Sequence, residues 1–369
     1  VPISLVGLTT SRQFKEVDRL ELKIDELMDT QKTTNTKTVY ATYFDFGYLP
    51  RALTLFESLR FQGDKSEIWV LCLDEPTELF LSAHAVENVK IFSLSNLENK
   101  HKELLEVKPD RSRAEYIFTL GPTFLQEVFE LSTRNGDVLV YLDADLYFFG
   151  DPQKVVKALG NSSVGIIEHR YPEPLERKLA KYGRFNVGWV GFKHDDYGKF
   201  ALDWWAKECI NWCFDTPDSG RYADQGYLDT FPTFQGVSVL TNPGFNLAPW
   251  NTGRHIISRN GQDCSASVDG EPLIFFHFHG IKETRNWFVT SQLIYGSPAN
   301  MPTRNLVYKP YLSKLSSNQR LVSATEFNAK LNKQQRGRGL RGLLFKFRVS
   351  GLAIASVLSG NAFSKRSIL

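Results

Sequence analysis

The sequence predicts an α/β fold: a mixed, mainly parallel sheet flanked by helices. Three observations carry this. Short apolar runs rich in strand-forming residues alternate with stretches of helical periodicity from Val39 onward. Each run is apolar almost throughout rather than on alternate positions, the pattern of strands buried on both faces. The connections between the first runs are long enough to hold crossover helices.

The elements follow in order. Phe14 to Met28 has an amphipathic helix pattern, with Phe14, Val17, Leu20, Ile24 and Leu27 on one face, and the polar stretch Gln31 to Thr38 links it to the body. "VYATYF" (39–44) is the first strand. "LPRALTLFESLRFQG" is a helix with Pro50 near its start and Gly63 at its end. "EIWVLCLD", "VKIFSL" and "DVLVYLDAD" are further strands, separated by a helix in "PTELFLSAHA" and a long one from Arg113 to Leu131. "SSVGIIEH", "RFNVGWVGF", "GVSVLT" and "PLIFFHFH" continue the strand series around a Trp-rich helix from Asp195 to Trp212. The expected organisation is an N-terminal extension (1–38), a body (39–310) and a basic amphipathic tail (311–369).

The 369 residues, 42% of them apolar and 23% charged, suit a globular protein with one large domain and extensions. The net charge of +3 conceals an asymmetry. From Lys333 to the end there are eight Lys/Arg and no Asp/Glu, which leaves 36 basic against 41 acidic residues elsewhere, a net of −5. An acidic body argues against nucleic acid as a partner. The tail suits an anionic membrane surface or a helix docked on the body, and the N-terminal helix suits an oligomer contact. The start, "VPISLVGLTTSRQFKEVD", turns polar too early for a secretory signal, and no uncharged apolar run reaches the roughly 20 residues that span a bilayer. The expected location is cytoplasmic, with the tail able to touch the inner face of a membrane. Cys72, Cys209, Cys213 and Cys264 are scattered without a CxxC pair and read as buried thiols. Gly337, Gly339 and Gly342 spell GxGxxG, but no strand precedes them, so no dinucleotide site is expected.

The chemistry concentrates at "VYLDADLYFFGDP" (140–152). Asp143 and Asp145 flank Ala144 where an apolar strand reaches the surface. Residues two apart in an extended segment point the same way, so the two carboxylates can hold one hard divalent cation, Mn²⁺ or Mg²⁺, and Ala144 lets a ligand approach the backbone. In open α/β sheets ligands bind at such strand ends. The bland alternative is a turn or a helix cap.

This segment resembles the DxD motif of GT-A glycosyltransferases, above all the retaining, glycogenin-like (family 8-like) group, and three more stretches match in the same order. "RFNVGWVGF" is similar to that group's strand bearing an Asn and a Gly, which implies Asn186 at the sugar and Gly188 at the donor. "YADQGYLD" resembles its Asp-Gln helix start, which implies Asp224 and Gln225 beside the donor sugar. "FFHFHGIK" resembles its late His-x-x-Gly…Lys motif, which implies His277 as third metal ligand with Asp143 and Asp145, and Gly280 and Lys282 at the diphosphate. The resemblance spans about Val39 to Trp287. It also implies Tyr43 near the base and an upstream Arg at the donor, for which Arg113 is the candidate. The late motif departs from the family: one residue rather than two separates Gly280 from Lys282, and Glu283-Thr284 replace Pro-Trp. Arg285 is therefore a rival to Lys282, and His279 to His277. The alternation of the two histidines is expected to place them on opposite strand faces.

The expected activity is transfer of a sugar, with retention, from a nucleoside diphosphate sugar (UDP-linked) to a glycan, lipid-linked or other hydroxyl acceptor. Gln225, Asp224 and Asn186 are the catalytic candidates. An inverting enzyme would need a carboxylate base such as Glu168 or Asp224. "EHRYPEPLERK" (168–178) is a candidate acceptor grip, and "NLAPWN" (246–251) a candidate pocket wall. Two alternatives stand beside this: an aspartate-nucleophile phosphatase or phosphotransferase using Asp143, and a nucleotide-sugar-binding module without turnover.

Overall fold

The computed structural model describes residues 36–261, 265–325 and 355–368. The helix expected at Phe14–Met28, the GxGxxG-like stretch and Cys264 lie outside the described residues.

β1 (Thr38–Phe44), β2 (Glu67–Cys72), β3 (Val89–Ser93) and β4 (Val138–Leu142) pair in parallel, and β6 (Val164–Glu168) pairs in parallel with β8 (Val237–Val239). β7 (Phe185–Lys193) runs antiparallel to both β4 and β6. The sheet order is β3-β2-β1-β4-β7-β6-β8. With this order the carboxyl ends of β1, β4 and β6 and the start of β7 share one edge.

Alternation along the strands splits the core between the two faces. Tyr40, Val138, Val140 and Leu142 pack under helix α1 (Leu49–Phe61), while Val39, Ala41, Leu139 and Tyr141 face helices α3 (Arg113–Ser132) and α4 (Asp196–Asn211). Pro50 sits in the first turn of α1, where its missing N–H costs nothing, and Gly63 takes φ +80° just past its end. Ser112 caps α3 in a reciprocal box with Glu115. Gly121 in α3 lies against Tyr43; a Cβ there would stand 2.8 Å from the phenol ring. Helix α2 (Glu75–Ala83) is capped by Asp74, whose carboxylate accepts from Thr77 N–H. Three thiols, Cys72, Cys209 and Cys213, are buried.

A shorter pairing bends the chain back over the site edge. β5 (Leu146–Phe148), directly after the two aspartates, runs antiparallel to Phe275–His277 with His277 opposite Leu146. Behind this ribbon lies a third apolar cluster of Tyr147, Phe276, Phe278, Tyr308, Tyr311, Leu312, Leu315 and Phe363.

The body therefore runs past residue 310, where the sequence reading ended it. Helix α5 (Lys309–Ser323) buries Tyr311, Leu315, Asn318 and Val322 on one face, the i, i+4, i+7, i+11 spacing of a docked helix. Tyr311 stacks on Phe278 at 3.6 Å, and Asn318 Nδ2 donates to Thr54 Oγ1 of α1. Ala362–Ser364 adds a strand to Trp287–Val289, which pairs with Lys282–Glu283. The tail looks polar because only one side of α5 is apolar. Among the described residues no helix is long and apolar enough to cross a membrane. Tyr311→Ala should lower the free energy of unfolding by about 3–5 kcal/mol, as other large aromatic truncations do, read from denaturant midpoints. A loss below about 1 kcal/mol would mean that α5 is peripheral.

Candidate active site

β4 ends at Leu142, and the Asp143 N–H donates to Gly188 O of β7. The two carboxylates then turn to one side while the Ala144 side chain enters the hydrophobic core, 7% exposed. Any part Ala144 plays toward a ligand thus falls to its backbone.

The β5 pairing brings in the histidine. His277 Nε2 stands 3.0 Å from Asp145 Oδ1 and 3.5 Å from Asp143 Oδ2. The other face of the ring fixes its tautomer. Asn186 Oδ1 accepts from Gly188 N–H at 3.1 Å, so that atom must be the oxygen, and His277 Nδ1, 3.2 Å away, must donate to it. Nε2 then faces the carboxylates: it donates to Asp145 when the ring is protonated, and its lone pair is free only for a cation that takes the proton's place. Gly188 makes this possible: a Cβ there would lie 2.7 Å from both Asn186 Oδ1 and His277 Nδ1. The glycine thus lies directly against the Asn186–His277 contact.

Asn186 is also the bridge to Gln225. Its Nδ2 donates to Gln225 Oε1 at 3.2 Å, Gln225 Nε2 donates to Tyr182 O at 2.7 Å, and Asn246 Nδ2 donates to Asn186 Oδ1. One side-chain amide therefore connects the cluster of charges to the Asp-Gln segment 39 residues downstream. Asp224 takes the N-cap position of the 3₁₀ turn Gln225–Asp229, yet its carboxylate makes no cap hydrogen bond. Ala223, at φ +46°, turns the chain into this segment, and Trp205 Nε1 holds Asp224 O at 2.9 Å.

The charges respond to one another. Burial would raise the Asp145 carboxyl, but His277, by charge and hydrogen bond, holds it below the ordinary range. Burial pushes Asp143 up against the opposing pull of His277. Burial also lifts Asp224 to about 7, with the Asp143 charge adding to the shift. For His277, burial favours the neutral ring, but Asp145 and Asp143 raise it overall. Two carboxylates facing one imidazole, at 3.0 and 3.5 Å, favour a cation among them.

His279 corrects an expectation. Atoms of Asp145, His277 and His279 gather within 4.8 Å of one another. His279 lies in the turn just past the strand Phe275–His277, which brings the two rings to 6.0 Å, so the histidines are neighbours rather than opposed. Trp250 packs edge-on against both, at 5.0 and 5.6 Å. Its indole N–H donates to His169 O, as does Asn251 Nδ2, which ties the "NLAPWN" loop to the end of β6.

Tyr43 stacks on Tyr141 at 5.3 Å, and Tyr141 OH donates to Asp143 Oδ1 at 2.6 Å. The raised pKa of Tyr43 comes first from burial, then from Asp224 and Asp143, so its phenol belongs to the same recess. Arg113, at the start of α3, is 70% exposed and pairs with Asp45 just beyond β1. Glu168 is held by Arg184 at 2.6 Å. Gly280 adopts φ +74° in the turn after the histidines. Lys282 and Arg285 are exposed, on the short strand and turn beyond it.

The basic group that reaches this turn is Arg51 of α1, which the sequence reading missed. Its Nη2 donates to Ile281 O at 3.2 Å, its guanidinium lies 4.9 Å over the Tyr48 ring, and its charge helps to lower Asp145. Among the described residues it has no carboxylate within ion-pair distance. No sequence spacing could flag it, because its partner is 230 residues away.

Two curated relatives from Bacillus subtilis (strain 168) match most of their own length. The uncharacterized protein YfnF is 35% identical over 256 residues, 66% of this chain and 82% of YfnF. The uncharacterized protein YfnD is 29% identical over 283 residues, 75% and 88% respectively. No family model matches the chain. Among solved structures, the galactosyltransferase LgtC, in complex with donor and acceptor sugar analogs, aligns with a TM-score of 0.45 at 16% identity, over 76% of this chain and 95% of LgtC. Mouse xyloside xylosyltransferase 1 aligns with a TM-score of 0.42 at 12% identity, over 66% and 98%.

Proposed function

The chain belongs to the family of Bacillus subtilis YfnF, and we propose that it is a GT-A glycosyltransferase which moves a sugar from a nucleoside diphosphate sugar, UDP-linked, to a hydroxyl acceptor with retention of configuration. One observation carries this reading: Asn186 ties the Asp143/Asp145/His277 cluster to Gln225 through a single amide. A ligand with a charged diphosphate next to a neutral sugar fits that sequence of groups.

Two carboxylates and a tautomer-fixed imidazole suit Mn²⁺, or Mg²⁺ with more water retained. Asp143, Asp145 and His277 would hold it, with His279 as an adjacent imidazole. Bound there, it would neutralise the charge that develops on the departing diphosphate. The protein's own groups do the rest. Arg51 provides a second positive charge on the diphosphate, the part that the resemblance assigned to Lys282. Asn186 and Gln225 place amide oxygens and N–H groups at the sugar, and Gln225 Oε1 faces the charge the sugar gains as its bond to phosphate lengthens. The Tyr43–Tyr141 stack forms one wall of the recess, and Trp250 packs edge-on against both histidines. Retention needs no carboxylate base at the acceptor, in keeping with Glu168 being held by Arg184; the departing phosphate can take the acceptor's proton.

The test needs no acceptor, because donor also leaks to water. The protein is incubated with a panel of nucleotide sugars, with Mn²⁺ or with EDTA. The expected result is release of a nucleoside diphosphate from one donor, in Mn²⁺ alone. Absence of release from every donor, with no metal-dependent nucleotide binding, would leave the phosphatase or the silent binding module. Arg51→Ala should weaken nucleoside diphosphate binding about 10–100-fold, the usual worth of one charge-assisted hydrogen bond to phosphate. Binding of the bare nucleoside should be unaffected. Equal weakening of both would assign Arg51 a purely structural part.

A further inference from the structure

We propose that the acceptor carries an anionic group, a phosphate or a carboxylate, beside the ring that receives the sugar. This rests on the glycosyltransferase reading and names the substrate class of the same site.

The chain between β6 and β7 rises from the edge where β4 delivers the aspartates, because β6 ends and β7 starts at that edge. It returns through Tyr182, whose carbonyl accepts from Gln225 Nε2 at 2.7 Å. Tyr182 therefore adjoins the residue placed at the transferred sugar. Around it the side chains form a cationic, aromatic platform. Tyr182 meets Tyr222 edge-on at 5.0 Å, and Tyr222 is two residues from Asp224. On the other side Tyr295 lies 6.3 Å from Trp250, which packs on His277.

Two ammonium groups span these rings. Lys181 Nζ stands 4.7 Å from the Tyr182 ring and 5.8 Å from Tyr222. Lys178 Nζ stands 5.6 Å from Tyr182 and 5.5 Å from Tyr295. Glu173 and Glu176 precede them in the same segment, yet among the described residues no ion pair joins either lysine to a carboxylate. Ring faces hold a cation in place without neutralising it, so both charges stay available to a ligand. The three tyrosines are half-buried, and each presents an apolar face with a polar tip. Flat faces suit a saccharide ring, and the two amines set 4.7–5.8 Å above those faces suit a charge carried by it. A neutral glycan could take hydrogen bonds from the amines through its hydroxyls, but only an anionic group would also offset their charge.

The experiment measures binding rather than turnover, so its outcome is separate from that of the donor panel. Glucose 6-phosphate, glucuronate and glucose are titrated into the full chain with nucleoside diphosphate and Mn²⁺ present. The expected result is that at least one charged sugar binds about tenfold or more tighter than glucose, with the advantage shrinking as salt rises. The two charged sugars distinguish phosphate from carboxylate. In the Lys178→Gln/Lys181→Gln double variant the ratio of charged to neutral affinity should fall to about one. Equal binding of all three sugars by the wild type, or an unchanged ratio in the double variant, would overturn the proposal.

Discussion

Asp145→Asn should reduce metal-dependent release of nucleoside diphosphate by about a thousandfold or more, with the fold intact. The change removes one negative charge and replaces an oxygen 3.0 Å from His277 Nε2 with a neutral amide group of the same size. A metal at this position is worth several kcal/mol of charge stabilisation at the leaving group, and each 1.4 kcal/mol is tenfold in rate. The melting temperature should fall modestly while the protein stays folded, because the ionised Asp145, held below its ordinary range by His277, loses that buried pair but no apolar packing. The measurement pairs donor hydrolysis with a melting curve. Activity within tenfold of wild type would place the metal elsewhere.

Gly188→Ala should be the next largest effect, and it separates positioning from ligation. The new methyl would lie 2.7 Å from Asn186 Oδ1 and from His277 Nδ1. Both side chains sit in a buried network and have little room to move, so the imidazole must tilt off the line to Asp145. Loss of a supporting partner to a metal-bound histidine typically costs 10–100-fold in metal affinity or activity, and about that loss is expected in Mn²⁺ affinity and in turnover. High Mn²⁺ should restore part of the activity, which it would not do for a variant that is merely unfolded. Wild-type Mn²⁺ affinity in Gly188→Ala would show that the His277–Asn186 contact does not set the ligand.

The parts of this site that were legible in the sequence are local. The Asp pair, Asn186 with Gly188, Asp224 with Gln225, and His277 each belong to a short run that sits on a strand end or turn. The parallel β1–β4 series was equally plain, because its strands are apolar throughout. What escaped depends on contacts between distant segments. Arg51 acts through a carbonyl 230 residues on, and its own surroundings look like any helix start. Gly188 reads as a close approach to a ligand, whereas the group it accommodates is His277. The two histidines come together through the turn that follows the strand Phe275–His277, which strand alternation does not describe. Helix α5 hid in a polar segment because its buried face is completed by Tyr147 and Phe278 of another ribbon.

The most direct test of the central claim is a Mn²⁺ titration, followed by electron paramagnetic resonance, of the wild-type chain and Asp145→Asn, each with and without nucleoside diphosphate. The account predicts saturable Mn²⁺ binding to the wild type that tightens when nucleoside diphosphate is added, and loss of both effects in the variant. Mn²⁺ binding of equal strength in the two proteins, or wild-type binding indifferent to the nucleotide, would contradict it.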